Sequence, residues 1–242
     1  MSSLKPYRAV PIRECGEPMV MLPREAFAYF DPHPYVELGA PYGAESPWML
    51  RESIFASLCT AQQNLQKIRP NWKIMLFDAY RPNAVQAFMV ARELEAVAKE
   101  EGLSVATLRE SERERLMGKV LRVWGIPSTD PATPPPHSTG AVFDCTLVDE
   151  TGREVDMGSP LDENSERSCP DHFATAMDRA GQQAHLNRLL LRDILEAEGF
   201  RRHFSEWWHF SRGDQIAVWI DREKAPNAVA IYGRADLAGG PK

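Results

Sequence analysis

The sequence predicts an α+β fold: one domain with a central, mainly antiparallel sheet flanked by helices. Three observations predict it. Helical segments are separated by short apolar runs of strand length, at 72–77 and 141–148. Three more such runs, 200–204, 207–210 and 216–220, crowd the C-terminal part of the chain. Neither an internal repeat nor a low-complexity linker divides the 242 residues, and their 43% hydrophobic content is enough for one sizeable core.

Residues 1–45 are rich in proline and aromatics without helical periodicity, as in Phe30-Asp31-Pro32-His33-Pro34-Tyr35. They predict an N-terminal arm with one or two short strands, packed on a body formed by residues 46–242. Ser46-Pro47 signals a helix start, after which Leu50, Ile54, Leu58, Leu65 and Ile68 recur mostly at multiples of four until Pro70 ends the run. Trp72 to Phe77 reads as a strand. Arg81-Pro82 opens a second helix that runs to Gly102. The segment 104–123 is highly charged, with Arg and Glu alternating in 109–115, which marks a solvated helix face. Four prolines between Thr129 and Pro136 exclude regular structure and predict a rigid, extended approach to His137. Ala141 to Val148 reads as a strand, Asp149-Glu150-Thr151-Gly152 as a hairpin turn, and the residues to about Asp171 as a loop. Residues 182–198 form a helix with Leu186, Leu190, Ile194 and Ala197 in register and Gly199 closing it. The runs 200–204, 207–210 and 216–220 are read as strands, with Val229–Tyr232 as a further candidate.

The formal net charge of −6 argues against a role in gripping phosphate backbones, so no nucleic-acid partner is expected. No apolar stretch approaches the roughly 20 residues of a membrane helix. The N-terminal Met-Ser-Ser-Leu-Lys-Pro lacks the apolar core of a signal peptide, and a cytoplasmic location without membrane contact is the expectation. Cys15, Cys59, Cys145 and Cys169 contain no C-x-x-C pair and are read as buried free thiols.

Two local clusters stand out as candidates for chemistry. One is His137-Ser138-Thr139-Gly140-Ala141-Val142-Phe143-Asp144; the other is Glu206-Trp207-Trp208-His209. The alternative for the second is core packing of its tryptophans, with His209 a satisfied buried histidine. Catalytic zinc takes three protein ligands from His and carboxylates and leaves a fourth position to water. A neighbouring Glu outside the ligand set can then accept the water proton. Positions seven apart on an unbroken strand face opposite ways, so His137 and Asp144 converge only if the chain bends between them, and Gly140 can supply that bend. Glu206 and His209 suit a bulged strand, one binding metal directly and the other through water. Cys145, next to Asp144, should point away from such a site. His203, six before His209, competes for the third ligand position. His33, His172 and His185 have no partner at ligand spacing and are read as core or surface residues.

The wording of these clusters resembles the zinc D-alanyl-D-alanine dipeptidases, the vancomycin-resistance type within the larger zinc D-Ala-D-Ala peptidase family. That family carries S-x-H-x-x-G-x-A-x-D, occupied here by Pro135, His137, Gly140, Val142 and Asp144, and E-x-x-H downstream, occupied by Glu206 and His209. Asp78-Ala79-Tyr80-Arg81-Pro82 is similar to its D-x-Y-R-P segment, and Asp156-Met157-Gly158 through Asp162 to its Met-Gly loop. The helix Asn187 to Gly199, running into Phe200, is similar to the element before its last catalytic strand. Two positions depart: Pro135 replaces a serine of the substrate-facing loop, and Val142 replaces an alanine. The resemblance spans roughly residues 45–220 and implies the hedgehog/D-Ala-D-Ala peptidase fold. It implies one Zn²⁺ per chain held by His137, Asp144 and His209, with Glu206 as the base and Arg81 at the developing oxyanion. Asp162 would bind the substrate's ammonium group, with Ser138, Tyr80 and Trp207 as further substrate-binding candidates. The implied partner is a small peptide, D-Ala-D-Ala. The rival readings are a cell-wall carboxypeptidase or endopeptidase with the same chemistry, and a zinc-containing binding protein without turnover.

Overall fold

Among the described residues, seven strands and six α-helices form in chain order. The strands are β1 (Met19–Met21), β2 (Ala28–Tyr29), β3 (Met49–Arg51), β4 (Lys73–Asp78), β5 (Val142–Val148), β6 (Arg201–Arg202) and β7 (His209–Ser211). The helices are α1 (Pro34–Glu37), α2 (Glu52–Ile68), α3 (Asn83–Glu100), α4 (Glu110–Val120), α5 (Arg179–Glu196) and α6 (Gln215–Ile220). The computed structural model describes residues 5–235. No helix among them is long and apolar enough to cross a membrane.

Strands β2-β4-β5-β7-β6 make one sheet in that order; only the β2–β4 pair is parallel. The sheet is therefore mainly antiparallel, as the sequence predicts. β1 and β3 form a separate antiparallel pair. The N-terminal region is woven in at two places, since β2 supplies an edge of the main sheet and β1 pairs with β3. β5 is buried along its whole length, so its apolar side chains Phe143, Cys145 and Leu147 enter the main core while Asp144 occupies the other face.

Helix limits follow local chemistry. α3 begins after Pro82, and the chain turns away at Gly102, whose φ of +69° suits a residue without Cβ. The Asp178 carboxylate caps α5 by accepting from the Gly181 amide at 2.9 Å. The run 216–220 is helical, not the predicted strand. Asp214 caps it, accepting from the Ala217 amide at 2.9 Å, and this cap outweighs the β-branched composition of the segment. Leu50 lies in β3 rather than on the first long helix, and Ile68 is exposed; the buried face of α2 is Ile54, Leu58, Ala61, Gln62 and Leu65. In α5 the predicted Leu186 is also exposed, because the buried face turns toward Arg188. That guanidinium donates to the carbonyls of Met157 (2.7 Å), Cys169 (2.8 Å) and Arg167 (2.9 Å) and so staples the 157–169 loop. Of the four free cysteines only Cys145 is buried; Cys15 is exposed.

Two irregularities shape the site. β4 slips by one residue against β5 between Leu76 and Asp78, a bulge that turns Asp78 to the same face as its partner Asp144. Before β5, the proline-rich approach ends in a 3₁₀ turn, Pro136–Thr139, closed by Gly140 at φ +69°. A Cβ at Gly140 would collide with the Met19 thioether. Replacing Gly140 by alanine combines that collision with a disfavoured backbone, so Gly140→Ala should lower stability by roughly 1–3 kcal/mol. A urea melt should show a reduced midpoint at unchanged slope.

Candidate active site

Asp78, Asp144 and His209 stand in one row across β4, β5 and β7, as direct register partners. His137 reaches the same point from the 3₁₀ turn. Its Nδ1 contacts the Ala79 carbonyl at 2.8 Å, which assigns the proton to Nδ1 and leaves Nε2 free, 3.3 Å from Asp144 Oδ2. His209 Nδ1 lies 3.1 Å from Asp144 Oδ1. One donor atom from each of the three residues falls within 4.8 Å of the others.

These separations fit a shared cation. Ligand atoms held at about 2.0–2.1 Å around a tetrahedral metal sit roughly 3.3 Å apart. Asp144 Oδ1 is buried and no donor meets it in hydrogen-bonding geometry, an arrangement costly without a cation. All three residues are buried. Cys145 points into the core on the opposite face, so no thiolate closes the site.

The two neighbouring carboxylates are driven apart. Burial would push Asp144 up, but the imidazoles of His137 and His209 beside it hold it below the usual carboxylate range. Burial raises Glu206, and the charges of His209 and Lys5 only partly counter it. Asp144 is thus set as a permanent anion and Glu206 as a group able to take and return a proton. Glu206 Oε2 lies 3.5 Å from His209 Nδ1, and its Oε1 lies 3.5 Å from His203 Nδ1. His203 stands outside the three-residue cluster, and burial lowers its pKa.

Arg81 is buried and almost fully engaged. Its Nε donates to Asp78 Oδ2 (2.8 Å), Nη1 to Gln86 Oε1 (3.0 Å) and Nη2 to the Tyr35 hydroxyl (3.2 Å), with Asp144 Oδ2 at 3.5 Å. Asp162 adopts a left-handed backbone at φ +59° and accepts from the Tyr35 hydroxyl at 2.5 Å. Burial and the charge of Asp144 push its pKa up to about 7 against the pull of Arg81.

Arg81, His137, Asp144, Asp162, Glu206 and His209 all line one small cavity. Three other predicted residues stand back from it. The Ser138 hydroxyl donates to the Pro135 carbonyl at 2.7 Å. Tyr80 packs with Met19, Met49 and Ala235, and the Trp207 indole donates to Ser159 Oγ at 3.0 Å from within the core. The structure also adds residues that sequence spacing did not single out. Lys5, Tyr7 and Gln86 line the cavity, while His33 and Tyr35 come from the aromatic N-terminal segment. Only the density of aromatics and histidine at 30–35 hinted at the last two.

Two imidazoles and one carboxylate, with no fourth donor in the cluster among the described residues, are the donor types that a catalytic rather than a structural metal centre uses. The class that this fold and site define is a metal-dependent hydrolase. Comparison with known proteins narrows it. The profile of the D-Ala-D-Ala dipeptidases, Peptidase_M15, matches residues 29–228. A D-alanyl-D-alanine dipeptidase of Synechocystis is 42% identical over 241 residues, covering 96% of this chain and 98% of that protein. One from Enterococcus faecalis is 33% identical over 144 residues, covering 59% of this chain and 63% of its own. Among solved structures, the LD-carboxypeptidase LdcB superposes with a TM-score of 0.42 at 14% identity, over 88% of this chain and 77% of that one, which is too distant to add to the assignment. The chain belongs to the Peptidase_M15 D-Ala-D-Ala dipeptidase family, a family of metallopeptidases.

Asp78 joins this site to the core. Besides Arg81 it holds His33 Nε2 at 3.1 Å and the Tyr42 hydroxyl at 3.3 Å, and no part of it is exposed. Asp78→Ala leaves a buried guanidinium without its main counter-charge and should cost about 3–5 kcal/mol of stability. Chemical denaturation would detect a loss of that size.

Proposed function

We propose that this chain is a zinc dipeptidase that hydrolyses D-alanyl-D-alanine or a similar short dipeptide to free amino acids. The observation that carries the reading is the convergence of His137, Asp144 and His209 beside a proton-accepting Glu206. Two imidazoles and a carboxylate suit zinc, although Mn²⁺, Co²⁺ and Ni²⁺ accept similar donors. When bound, the cation lowers the pKa of water towards about 7 and polarises a carbonyl oxygen.

The chain's own residues do the rest. Glu206 takes a proton from the attacking water and delivers it to the leaving amine nitrogen, a role its raised pKa supports. Arg81, braced by Asp78 and Gln86, presents fixed positive charge where the scissile oxygen becomes anionic. Asp162, with the Tyr35 hydroxyl, takes the free ammonium group of the substrate. The cavity of about 30 Å³ and a groove of about 700 Å³ share Lys5 in their linings.

Purified protein should release D-alanine from D-Ala-D-Ala, lose that activity to chelator, and regain it with one zinc per chain. Glu206→Ala should reduce kcat by roughly 10²–10⁴ with metal content unchanged by elemental analysis. N-acetyl-D-Ala-D-Ala should resist cleavage because it brings no ammonium to Asp162. Zinc-loaded wild type that releases nothing from D-Ala-D-Ala would refute the dipeptidase reading, and cleavage of the blocked peptide would favour a carboxypeptidase.

The environment of Asp162 also sets a pH dependence. A carboxyl raised to about 7 is neutral below that pH and anionic above it, and only the anion pairs with an ammonium group. KM should therefore fall as pH rises towards 8. A bound divalent cation moves this limb to lower pH without changing its sign. Asp162→Asn should flatten the limb and raise KM, which steady-state kinetics between pH 5 and 8 would read.

A further inference from the structure

A dipeptide carries two charged ends, and the site described so far receives only one. The cavity lining contains two Lys or Arg side chains, Arg81 and Lys5. Arg81 is committed, with Asp78, Gln86 and Tyr35 taking donors from each of its three nitrogens. Lys5 is the opposite case. No described residue accepts a hydrogen bond from its ammonium or forms an ion pair with it.

Its backbone, by contrast, is held in place. The Lys5 carbonyl accepts from the Arg8 amide at 3.0 Å, opening the 3₁₀ turn Pro6–Ala9. That turn is docked on the body by Arg8 Nη2 to the Ile126 carbonyl (2.7 Å) and by Gln215 Nε2 to the Val10 carbonyl (2.6 Å). Tyr7, buried in the same turn, lines the cavity beside Lys5. Lys5 also borders the neighbouring groove, whose other charged lining residues are Arg8, Arg113, Arg122, Glu110 and Glu114, whereas Asp162 borders the cavity alone. Lys5 therefore stands at the neck between cavity and groove.

We infer that Lys5 is a specificity residue whose ammonium pairs with the substrate's terminal carboxylate, an inference that rests on the dipeptidase reading above. A substrate with its ammonium at Asp162 and its scissile carbon near Glu206 directs its other end towards the groove, where Lys5 waits. Burial lowers the Lys5 pKa against the pull of Glu206, consistent with an ammonium short of counter-charge. The docked turn then makes the N-terminal segment part of the substrate site. Specificity for a free carboxylate arises from a residue more than 70 positions before the first residue of the catalytic cluster, Arg81.

The test compares D-Ala-D-Ala with its C-terminal amide for wild type, Lys5→Met and Lys5→Arg. Wild type should prefer the free acid in kcat/KM by on the order of 10- to 100-fold, the scale of one charged hydrogen bond. Lys5→Met should handle acid and amide alike, and Lys5→Arg should keep most of the preference. An equal loss on both substrates in Lys5→Met, or an undiminished preference, would overturn the inference. If zinc-loaded wild type cleaves neither peptide, the dipeptidase reading falls. Calorimetric binding of D-alanine against D-alaninamide then decides on Lys5: a preference for the acid that vanishes in Lys5→Met supports it, and one that persists, or none in wild type, refutes it.

Discussion

The buried carboxylate of Asp78 is the interaction on which the rest of the site depends. It has no access to water, so every lone pair must be met from within the protein. Arg81 meets Oδ2 and His33 meets Oδ1; the Tyr35 amide approaches His33 Nδ1 at 3.2 Å, which leaves the His33 proton on Nε2, facing Asp78. Burial alone would neutralise the Asp78 carboxyl, but the guanidinium beside it and the His33 hydrogen bond hold its pKa below the usual value. One anion thereby fixes the orientation of the Arg81 guanidinium and anchors the N-terminal segment that brings Tyr35 to Asp162. Buried ion pairs are poor sources of net stability, because desolvation consumes most of the attraction. Their value here is positional.

Placement of the carboxylates is a property of the sheet. Antiparallel partners share a face, so the alignment of Asp78, Asp144 and His209 across three strands aims three side chains at one volume. Without the bulge before Asp78 that residue would face the core, and Arg81 would lose its brace. His137 cannot enter the row from a strand at all. The 3₁₀ turn and the left-handed Gly140 raise it above the sheet, where the Ala79 carbonyl orients its ring. Regular strands give the rigidity, and two irregular points give the convergence.

This division decides what is legible in the sequence alone. The long helices, the buried strand 142–148 and the bend at Gly140 were legible, because periodicity and a glycine between two candidate ligands are local signals. Helix register was less so. The repeat 50, 54, 58 runs through the strand–helix boundary at Arg51, and Leu186 looks like a core residue until the guanidinium of Arg188 claims the buried face. The segment 216–220 has strand composition but a helix cap two residues upstream. Lys5, Tyr7, His33 and Tyr35 were the least visible parts of the site. Their roles depend on contacts across 40 or more residues, such as His33 to Asp78 and Tyr35 to Asp162, which no local pattern encodes.

Charge balance ties these parts together. Asp144, Asp162 and Glu206 line the cavity and Asp78 lies directly behind it, against the two cations Lys5 and Arg81. With every group ionised the region is two positive charges short. Left that way, the protein responds by keeping protons, and Asp162 and Glu206 both rise. A divalent cation supplies the missing charge and allows all four carboxylates to ionise together. A zwitterionic dipeptide then enters without disturbing the balance, its ammonium facing an anion and its carboxylate facing a cation. A peptide blocked at its amino end would bring an unmatched negative charge into a volume with little water to absorb it. On this account discrimination against peptides blocked at the amino end comes from electrostatics.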